Sequence, residues 1–513
     1  MSESIVDVAI VGGGVSGIYS GWRLATADLS ASPLAPHANE SGKLNIHLYE
    51  LSDRIGGRLI SLDPPEIQGI KAEFGGMRYL TNQPLVKGLI DQLGLETRPF
   101  PVSGDENIYY IRGHHLRGRD FTNPDKVPYR LSWLEKGKTP GQLIAAAIDT
   151  LIPGAAHLTK EQWQEVKENY TFHGRYLWEL GFWNLLNEVM SSEAFKLLQD
   201  AGGYDTTMTN WNAAEAIPWY LADFGETAEY RTVLNGMESV PLTVADRFTQ
   251  AGGHIHTGFR LDTFAKRADG LIELKFDGQP SVLARHLILA MPRRSLELLD
   301  DDIEFFLHPQ VKALIPTVTP HPMFKLFLCY RYAWWYDAGV NNGRSVTDLP
   351  LRQVYYFGSE VEGPAAYNQE LRDSLVMASY DDGSNVGFWA GLAEKGHSTT
   401  HCFPVSDEPR WNRYSCPPAM IAHAQRQLKL VHDLEYIPEP YAAGFQNWGQ
   451  DPFGGAWNSW NIHVKAWEVR EQILQPLNEW PVYIMGEAYS AAQGWIEGAL
   501  QTAERVLTDK FKI

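Results

Sequence analysis

Cysteine is scarce in this chain, which contains only three cysteines in 513 residues. Cys329, Cys402 and Cys416 are far apart and include no Cys-x-x-Cys pair. They therefore indicate neither a disulfide framework nor a zinc-ligand pattern with the 16 histidines. We expect free thiols in a reducing compartment and no metal site.

Long apolar runs and an excess of basic residues are also absent. No run approaches the roughly 18 apolar residues that span a bilayer. The 44 Lys and Arg are outnumbered by 62 Asp and Glu, which gives a net charge of −18 and argues against nucleic acids and anionic membranes as partners. The first predicted strand begins so close to Met1 that no signal peptide fits before it, so we expect a cytoplasmic protein.

Apolar and aromatic residues are abundant. A content of 44% hydrophobic and 12% aromatic residues is typical of a well-packed globular protein. A length of 513 residues exceeds what one hydrophobic core usually supports, so two or three lobes are expected. The 17 tryptophans indicate either core packing or an aromatic-walled pocket.

A glycine-rich turn follows the first predicted strand, residues 5–11, whose apolar run is typical of a parallel strand buried on both faces. The GxGxxG glycines are Gly12, Gly14 and Gly17. The first permits the tight turn, the second lets the backbone approach a pyrophosphate, and the third lets the next helix pack closely. That helix is predicted from Val15 to about Leu29, and its N-terminus favours an anion.

The next predicted strand, residues 45–49, ends at Glu50. A carboxylate there can accept hydrogen bonds from the ribose hydroxyls of an adenine dinucleotide. The acid usually lies about 20 residues after the glycines, and we interpret residues 30–43 as a loop inserted between helix and strand. A solvated glutamate at a strand end is the alternative.

Three further glycine-containing blocks complete the pattern. They are residues 54–58 (Arg-Ile-Gly-Gly-Arg), residues 73–78 (Glu-Phe-Gly-Gly-Met-Arg), and residues 483–487 with 494–499 near the C-terminus. A guanidinium in the first block can reach a pyrophosphate, and a plain NAD dehydrogenase has no need of a second glycine-rich basic loop. Matched blocks at opposite ends predict that the termini fold together around one large cofactor, with the middle of the chain inserted between them.

These blocks resemble those of the flavin-containing amine oxidases, and the chain looks most like the L-amino acid oxidases over nearly its whole length. The resemblance implies an α/β fold with a glutathione-reductase-like (Rossmann-type) FAD-binding domain, an antiparallel-sheet substrate domain and a helical lobe. It implies FAD-binding segments at 1–80, 232–295 and 446–513, substrate-binding segments at 81–120 and 296–445, and a helical domain at 121–231. The residues that would contact FAD are Gly12, Gly14, Val15, Ser16, Gly17, Glu50, Gly57, Arg58, Gly75, Gly76, Met77, Arg78, Leu261, Gly486, Glu487, Gly494, Trp495, Ile496 and Ala499.

Local patterns agree with this division. Residues 142–198 have helical periodicity, and Thr159 with Gln162 forms a capping-box pattern at a helix start. A predicted strand pair, residues 254–261 and 282–291, resembles the segment that returns to the adenine.

Arg78 distinguishes between the substrates of the family. A bidentate guanidinium is suited to hold a substrate carboxylate, and the arginine of the Gly-Gly-Met-Arg block does so in the resembling L-amino acid oxidases. Oxidases of simple amines do not need it. The alternative is an arginine paired with a structural carboxylate.

Lys325 lies in the apolar run 323–328, where a surface lysine is unexpected. In an alternating strand, Lys325, Phe327 and Cys329 share one face. A buried lysine requires a partner, and the resemblance supplies one, a water held between this amine and flavin N5 that assists reoxidation by oxygen. The alternative is a strand lysine whose amine reaches solvent.

The other substrate contacts are also implied by the resemblance. Tyr380 matches a strand-end tyrosine that binds the substrate carboxylate beside the arginine, and the carbonyl of Gly494 would accept a hydrogen bond from the amine. Trp448 and Trp495 would wall the pocket, although core packing is an alternative for Trp448. No histidine of residues 217–230 matches the pocket histidine of some relatives, so none is assigned to catalysis.

The implied function is FAD-dependent oxidative deamination of L-amino acids by hydride transfer from Cα to flavin N5. The products are a 2-oxo acid, ammonia and hydrogen peroxide, the second substrate is molecular oxygen, and the resemblance implies a homodimer. Since no cysteine lies near Met485 or Gly494, where monoamine oxidases carry a covalent attachment, we expect noncovalent FAD. A flavin monoamine oxidase, an amino acid 2-monooxygenase, a dehydrogenase and a non-enzymatic flavoprotein are the alternatives, and the side-chain preference stays open.

Overall fold

The computed structural model describes residues 5–224, 228–359, 373–393 and 407–513. Its first sheet has seven strands, most of them parallel. In spatial order they are His254–Thr257, Ile46–Glu50, Val6–Val11, Val282–Leu289, Ile272–Phe276 and Leu261–Lys266, with Val482–Ile484 as a second neighbour of Val282–Leu289.

The strand Val282–Leu289 brings the two ends of the chain together. It pairs in parallel with Val6–Val11 on one side and with Val482–Ile484 on the other. The prediction that the termini fold together is therefore confirmed, and so is the α/β fold class.

The strand Val6–Val11 is buried along its whole length because packed elements cover both faces of the sheet. The helices Val15–Thr26 and Ser239–Gln250 pack together on one face. The first helix ends at Thr26 and not near Leu29, because Ala27 is already extended, with φ −69° and ψ 150°.

The strands predicted at residues 254–261 and 282–291 do not pair with each other, so this part of the prediction was wrong. His254–Thr257 lies at one edge, against Ile46–Glu50, whereas Val282–Leu289 lies on the far side of Val6–Val11. A turn at Gly258 (φ +74°) separates the edge strand from Leu261–Lys266, which pairs elsewhere. Local sequence patterns mark strands, but they do not contain the long-range information that chooses strand partners.

A second seven-stranded sheet is built from two distant parts of the chain. Its order is Ala442–Asn447, Met323–Tyr330, Ser374–Asp382, Gln353–Ser359, Arg344–Thr347, Ile108–Ile111 and His114–Arg117. All neighbours are antiparallel except Arg344–Thr347 and Ile108–Ile111, which are parallel. The sheet is therefore mixed, whereas the prediction made it purely antiparallel.

The segment between the two parts of this sheet is mainly helical. Its helices are Pro140–Leu151, Lys160–Asn169, Phe182–Val189, Ser192–Gly202 and Ala213–Phe224. The predicted capping box is confirmed, since the Thr159 hydroxyl accepts from the Gln162 N–H and the Gln162 side chain accepts from the Thr159 N–H. A second box, with Thr139 and Gln142, was not predicted.

Further helices and short strands complete the fold. The other helices are Pro84–Leu93, Arg293–Glu297, Glu304–Leu307, Pro309–Leu314, Ser384–Leu392, Pro409–Asn412, Pro418–His432, Ala466–Gln472 and Ile496–Arg505. The other strands are Ser61–Leu62, Ala72–Glu73, Tyr79–Leu80, Thr97–Pro99, Thr171–Phe172, Arg175–Tyr176, Tyr230–Val233, Val318–His321 and Trp457–Trp460. Within the described ranges, no helix is both long enough and apolar enough to cross a bilayer. The predicted domain boundaries stay a prediction.

Candidate active site

Two adjoining cavities lie between the first and second sheets. The larger has a volume of about 670 Å³ and the smaller about 140 Å³. They are contiguous, since six residues line both: Arg58, Gly76, Ala456, Gly494, Trp495 and Ile496. An elongated ligand in the larger cavity therefore reaches the wall of the smaller one.

The glycine turn closes one end of the larger cavity. Gly12 has φ +111°, and a Cβ on it would lie 2.4 Å from the carbonyl oxygen of Ala290. A Cβ on Gly17 would lie 2.0 Å from the oxygen of Gly12, so both positions require glycine. The helix that starts at Val15 has no side-chain cap, which leaves its first N–H groups for an anion.

Glu50 lies beside this turn and is held by its neighbours. One carboxylate oxygen accepts from the N–H of Gly13 at 2.7 Å, and the other accepts from the N–H and hydroxyl of Ser52 at 2.9 and 2.7 Å. The carboxylate lines the larger cavity. Each oxygen has further lone pairs, so the fixed carboxylate can also accept hydrogen bonds from ribose hydroxyls.

The loop of residues 54–58 is stabilised by hydrogen bonds from the side chain of Arg54. Arg54 Nη1 donates to the carbonyl of Leu59 at 3.1 Å, and Nη2 donates to that of Gly57. Gly57 has φ +57°, and a Cβ on it would lie 3.0 Å from the Cα of Gly14. The two glycine turns are therefore in close backbone contact.

Arg58 connects this loop to the C-terminal blocks. Its Nη1 donates to Glu487 at 3.0 Å and to the carbonyl of Ala456 at 2.7 Å. The Glu487 carboxylate also accepts from the N–H of Gly494 at 2.7 Å and from the N–H and side chain of Asn458 at 3.0 and 2.9 Å. Glu487 was predicted to contact FAD, but its lone pairs are largely used to assemble the cavity wall.

Most residues predicted to contact FAD line the larger cavity: Gly12, Gly14, Val15, Ser16, Glu50, Gly57, Arg58, Gly76, Leu261, Gly486, Glu487, Gly494, Trp495, Ile496 and Ala499. Gly75, Met77 and Arg78 line the smaller cavity instead, and Gly17 lies behind the turn. The helix that begins at Ile496 starts where the two cavities meet. The volume, the uncapped helix and the glycine cradle fit a dinucleotide.

Arg78 projects into the smaller cavity and is only 8% exposed. Its Nη1 donates to the phenolic oxygen of Tyr355 at 2.8 Å, and its Cζ lies 4.5 Å from the ring centroid of Tyr230 and 5.5 Å from that of Phe100. Among the described residues, no carboxylate oxygen lies within 4.0 Å of a guanidinium nitrogen of Arg78. The guanidinium is held by aromatic groups and keeps donors for an anionic ligand.

Lys325 is buried at the same cavity, and its amine is hydrogen-bonded to residues of the 73–78 segment. Its Nζ donates to the carbonyls of Glu73 at 2.9 Å and Gly75 at 2.5 Å, and it lies 4.7 Å from the ring centroid of Tyr380. Burial lowers the pKa of Lys325 to about 7, against the opposing effect of the Glu73 carboxylate. An ammonium has three N–H donors, so one remains for the cavity.

The predicted alternation of this strand agrees with the packing. Phe327 and Cys329 lie in one hydrophobic cluster with Phe74, whereas Phe324 and Leu326 lie in another on the opposite face. The Lys325 amine contacts the carbonyls of Glu73 and Gly75, which flank Phe74. Lys325 therefore lies on the same face of the strand as Phe327 and Cys329, as predicted.

Aromatic side chains form most of the remaining wall. Tyr380, Trp448 and Trp495, which were predicted, all line the smaller cavity. Tyr380 packs edge-on against Tyr204, with centroids 5.4 Å apart. Trp448 is buried, and its Nε1 donates to the carbonyl of Phe74 at 2.7 Å. Core packing and a place in the wall therefore coexist for Trp448.

Several lining residues were not predicted. Tyr204, Trp219, Asp223 and Trp457 line the smaller cavity, and Tyr355 binds Arg78 from behind. They come from separate segments without a local motif. Of these residues, only Asp223 has a feature in the sequence that could have indicated it: it is an acid on a mostly apolar helix.

The described residues that line the smaller cavity include no histidine. The described ranges contain no group of three or more His, Cys, Asp or Glu side chains able to hold a metal ion. His397, His401 and Cys402 lie outside the described residues. Cys329 and Cys416 are buried, form no disulfide with each other and do not line either cavity.

Comparisons with known proteins show the family and the fold of the chain. A family model described as flavin containing amine oxidoreductase matches residues 16–506. Aplysianin-A of Aplysia kurodai is 29% identical over 99% of this chain and 91% of its own length. Achacin of Lissachatina fulica is 28% identical over 99% and 93%, and an L-amino-acid oxidase of Sistrurus catenatus edwardsii is 21% identical over 96% and 85%. The structure of a putrescine oxidase bound to putrescine has a TM-score of 0.68 at 18% identity, with 99% of each chain covered, and it shows the shared fold.

Proposed function

The chain belongs to the flavin-containing amine oxidoreductase family, and on this premise we propose that it is an L-amino acid oxidase. In the proposed reaction, an L-amino acid, oxygen and water give a 2-oxo acid, ammonia and hydrogen peroxide. The observation that supports this most strongly is Arg78, a buried guanidinium that faces the smaller cavity and forms no ion pair with the described residues.

FAD is the cofactor of this family, and the larger cavity suits it. The uncapped helix at Val15 would hold the pyrophosphate, and Glu50 would hold the adenosine ribose. The turn at Gly494 lies at the junction of the cavities, where the reactive end of the cofactor would meet the substrate. FAD bound there would supply the acceptor for the two electrons of the substrate, with oxygen as their final acceptor.

A substrate carboxylate is the natural partner of Arg78. An uncompensated charge is costly in a buried site, and aromatic faces offset only part of that cost. A carboxylate that accepts two parallel hydrogen bonds supplies both charge and direction. The Tyr355 hydroxyl and the Tyr230 ring fix the guanidinium in the free protein, so little side-chain ordering is required on binding.

A carboxylate bound at Arg78 also orients the rest of the substrate. Gly494 and Trp495 lie on the cavity wall shared with the cofactor site, and Lys325 lies on the wall formed by the second sheet. A substrate fixed at its carboxylate and flanked by these walls has few orientations left, and such positioning supplies a large part of an enzyme's rate enhancement.

Lys325 supplies a proton-carrying group beside the reacting centre. The Glu73 and Gly75 carbonyls fix the amine in place, and one N–H remains to hold a water in the cavity. With a pKa lowered to about 7, the amine exchanges its proton readily near neutral pH.

A stoichiometry measurement tests the proposed function. The purified protein is incubated with each common L-amino acid, and oxygen uptake, 2-oxo acid, ammonia and peroxide are measured together. An oxidase is expected to consume oxygen and to form 2-oxo acid, ammonia and peroxide in equal amounts. In a control sample with catalase, the net oxygen uptake should be halved. Formation of an amide without peroxide would identify an amino acid 2-monooxygenase, and flavin reduction without oxygen uptake would identify a dehydrogenase.

A further inference from the structure

Asp223 is the only carboxylate among the described residues that line the smaller cavity. It is 4% exposed, and its Oδ1 accepts a hydrogen bond from the Tyr230 hydroxyl at 2.7 Å. No side-chain nitrogen of a described Lys, Arg or His lies within 4.0 Å of the Asp223 carboxylate oxygens. The cavity therefore contains a guanidinium, that of Arg78, and a carboxylate that form no ion pair with each other, whereas its other guanidinium, that of Arg58, is paired with Glu487.

The position of Asp223 does not favour the stability of the fold. The residue lies in the last turn of the helix Ala213–Phe224, where the negative end of the helix dipole opposes a carboxylate. Burial also raises the pKa of Asp223, although Arg78 and the Tyr230 hydroxyl oppose that shift. A buried acid at an unfavourable position is expected to have a partner that arrives with a ligand.

The wall next to Asp223 suits an aliphatic chain. Trp219 precedes Asp223 by one helical turn, so the two side chains lie on the same face of the helix. The Trp219 indole is stacked on that of Trp457, with centroids 5.8 Å apart and planes at 20°. Its Nε1 donates to the carbonyl of Gln493 at 3.0 Å, which fixes the indole beside the Gly494 turn.

We propose that Asp223 selects amino acids whose side chain ends in a cation, with an ammonium or guanidinium at its tip. The inference rests on the proposed function, because it assumes that the substrate carboxylate is bound at Arg78. The methylene stem then packs against Trp219 and Trp457, and the cationic tip meets the Asp223 carboxylate.

A substrate of this kind gives Arg78 and Asp223 each a partner of opposite charge. The Arg78 guanidinium pairs with the substrate carboxylate, and Asp223 pairs with the cation at the other end. A neutral side chain leaves Asp223 either as a desolvated charge or as an acid that must take up a proton, and both states disfavour binding. Aromatic walls alone would favour large apolar amino acids, so the carboxylate decides between the two classes.

Matched substrate pairs test this inference. The rate of anaerobic flavin reduction is measured with L-lysine against L-norleucine and with L-arginine against L-citrulline, since each pair differs mainly in the charge of the tip. The unmodified protein is expected to prefer the cationic member by about 10- to 100-fold in the second-order rate constant of flavin reduction, the usual value of a hydrogen bond to a charged group. Asp223→Asn is expected to abolish the preference, Asp223→Glu to restore part of it, and the exposed control Asp125→Asn to leave it unchanged.

The possible results separate this inference from the proposed function. Equal rates within each pair in the unmodified protein, or a preference that survives in Asp223→Asn, would overturn the inference. A uniform loss for both members of each pair, with a shifted pH profile, would show that Asp223 acts on the α-amine and would also overturn it, while the oxidase function stands. If no L-amino acid reduces the flavin, both proposals fail. The measurement on the unmodified protein needs no variant to fold.

Discussion

Arg58 and Glu487 form an ion pair of 3.0 Å across 429 residues of sequence. The pair joins the first basic glycine loop to the C-terminal block, and the same carboxylate accepts from the N–H of Gly494 at 2.7 Å. One side chain therefore fixes the turn at which the two cavities meet. Glu487 therefore joins the loop of residues 54–58 to the Gly494 turn in one cavity wall.

Replacement of Glu487 by Gln should weaken FAD retention and lower the thermal stability. The amide keeps one acceptor but removes the charge, so the partly buried Arg58 loses its counterion, at a cost of about 2 kcal/mol. The flavin-to-protein absorbance ratio after dialysis and the unfolding midpoint measure the two effects. Glu471→Gln, which breaks an exposed pair with Arg505, is the matched control and should cost less than about 1 kcal/mol. Equal behaviour of the two variants would contradict the role given to Glu487.

The flavin should be noncovalent. Among the residues that the structure describes, no cysteine lines the larger cavity, and the buried thiols Cys329 and Cys416 lie elsewhere. Acid precipitation of the yellow protein should release intact FAD into the supernatant, as measured by absorbance and chromatography. Colour that stays in the washed pellet would show a covalent bond.

The sequence predicted the parts of the fold that depend on local constraints. The turn at Gly12 could be predicted because only glycine fits its dihedrals and its contact with Ala290, and the helix start at Thr159 because its capping box is contained in four residues. The partners of the strand His254–Thr257 could not be predicted, since pairing depends on the whole sheet.

The candidate site divides in the same way. Arg78 and Lys325 could be named because each lies in a recognisable block, and the structure brings both to one cavity. Tyr355 could not be named, because its role arises only where separate segments meet, and Asp223, although an acid on a mostly apolar helix, lies in no motif that assigns it a role. The assigned roles of the site residues, the domain boundaries, the cytoplasmic location and the dimer stay predictions.

Replacement of Lys325 by Met should slow the reaction with oxygen more than the reduction by substrate. The variant removes a positive charge fixed beside the cavity, where charge develops on oxygen, and a loss on the order of 100-fold in the oxygen rate constant is expected. Stopped-flow absorbance measures the two half-reactions separately. The exposed control Lys136→Met should leave both unchanged. An unaltered oxygen rate constant in Lys325→Met would leave this lysine with a structural role only.

The same lysine predicts a pH dependence. Burial lowers its pKa to about 7, so the amine is charged below that pH and neutral above it. The oxygen rate constant of the unmodified protein should therefore fall as the pH rises through about 7, and the inflection should be missing in Lys325→Met. An inflection of equal size in both proteins would assign the titration to another group.

The carboxylate-binding role of Arg78 predicts the behaviour of two variants. Arg78→Ala should raise KM and lower kcat for L-amino acids, because the guanidinium both binds the carboxylate and fixes the substrate's angle. A loss on the order of 3 to 5 kcal/mol in kcat/KM is expected. Arg78→Lys should recover little, since a point charge cannot reproduce the planar fork. Circular dichroism and flavin content confirm that each variant is folded.

The most direct test of the central claim compares three ligands in the unmodified protein. Under nitrogen, flavin reduction is measured with the best L-amino acid, with its D-enantiomer and with the amine that decarboxylation would give. Rapid reduction by the L-amino acid alone is the expected result, because the amine leaves the buried Arg78 unpaired and the D-enantiomer turns its Cα–H away from the cofactor. Rapid reduction by the decarboxylated amine would contradict the account and identify a monoamine oxidase.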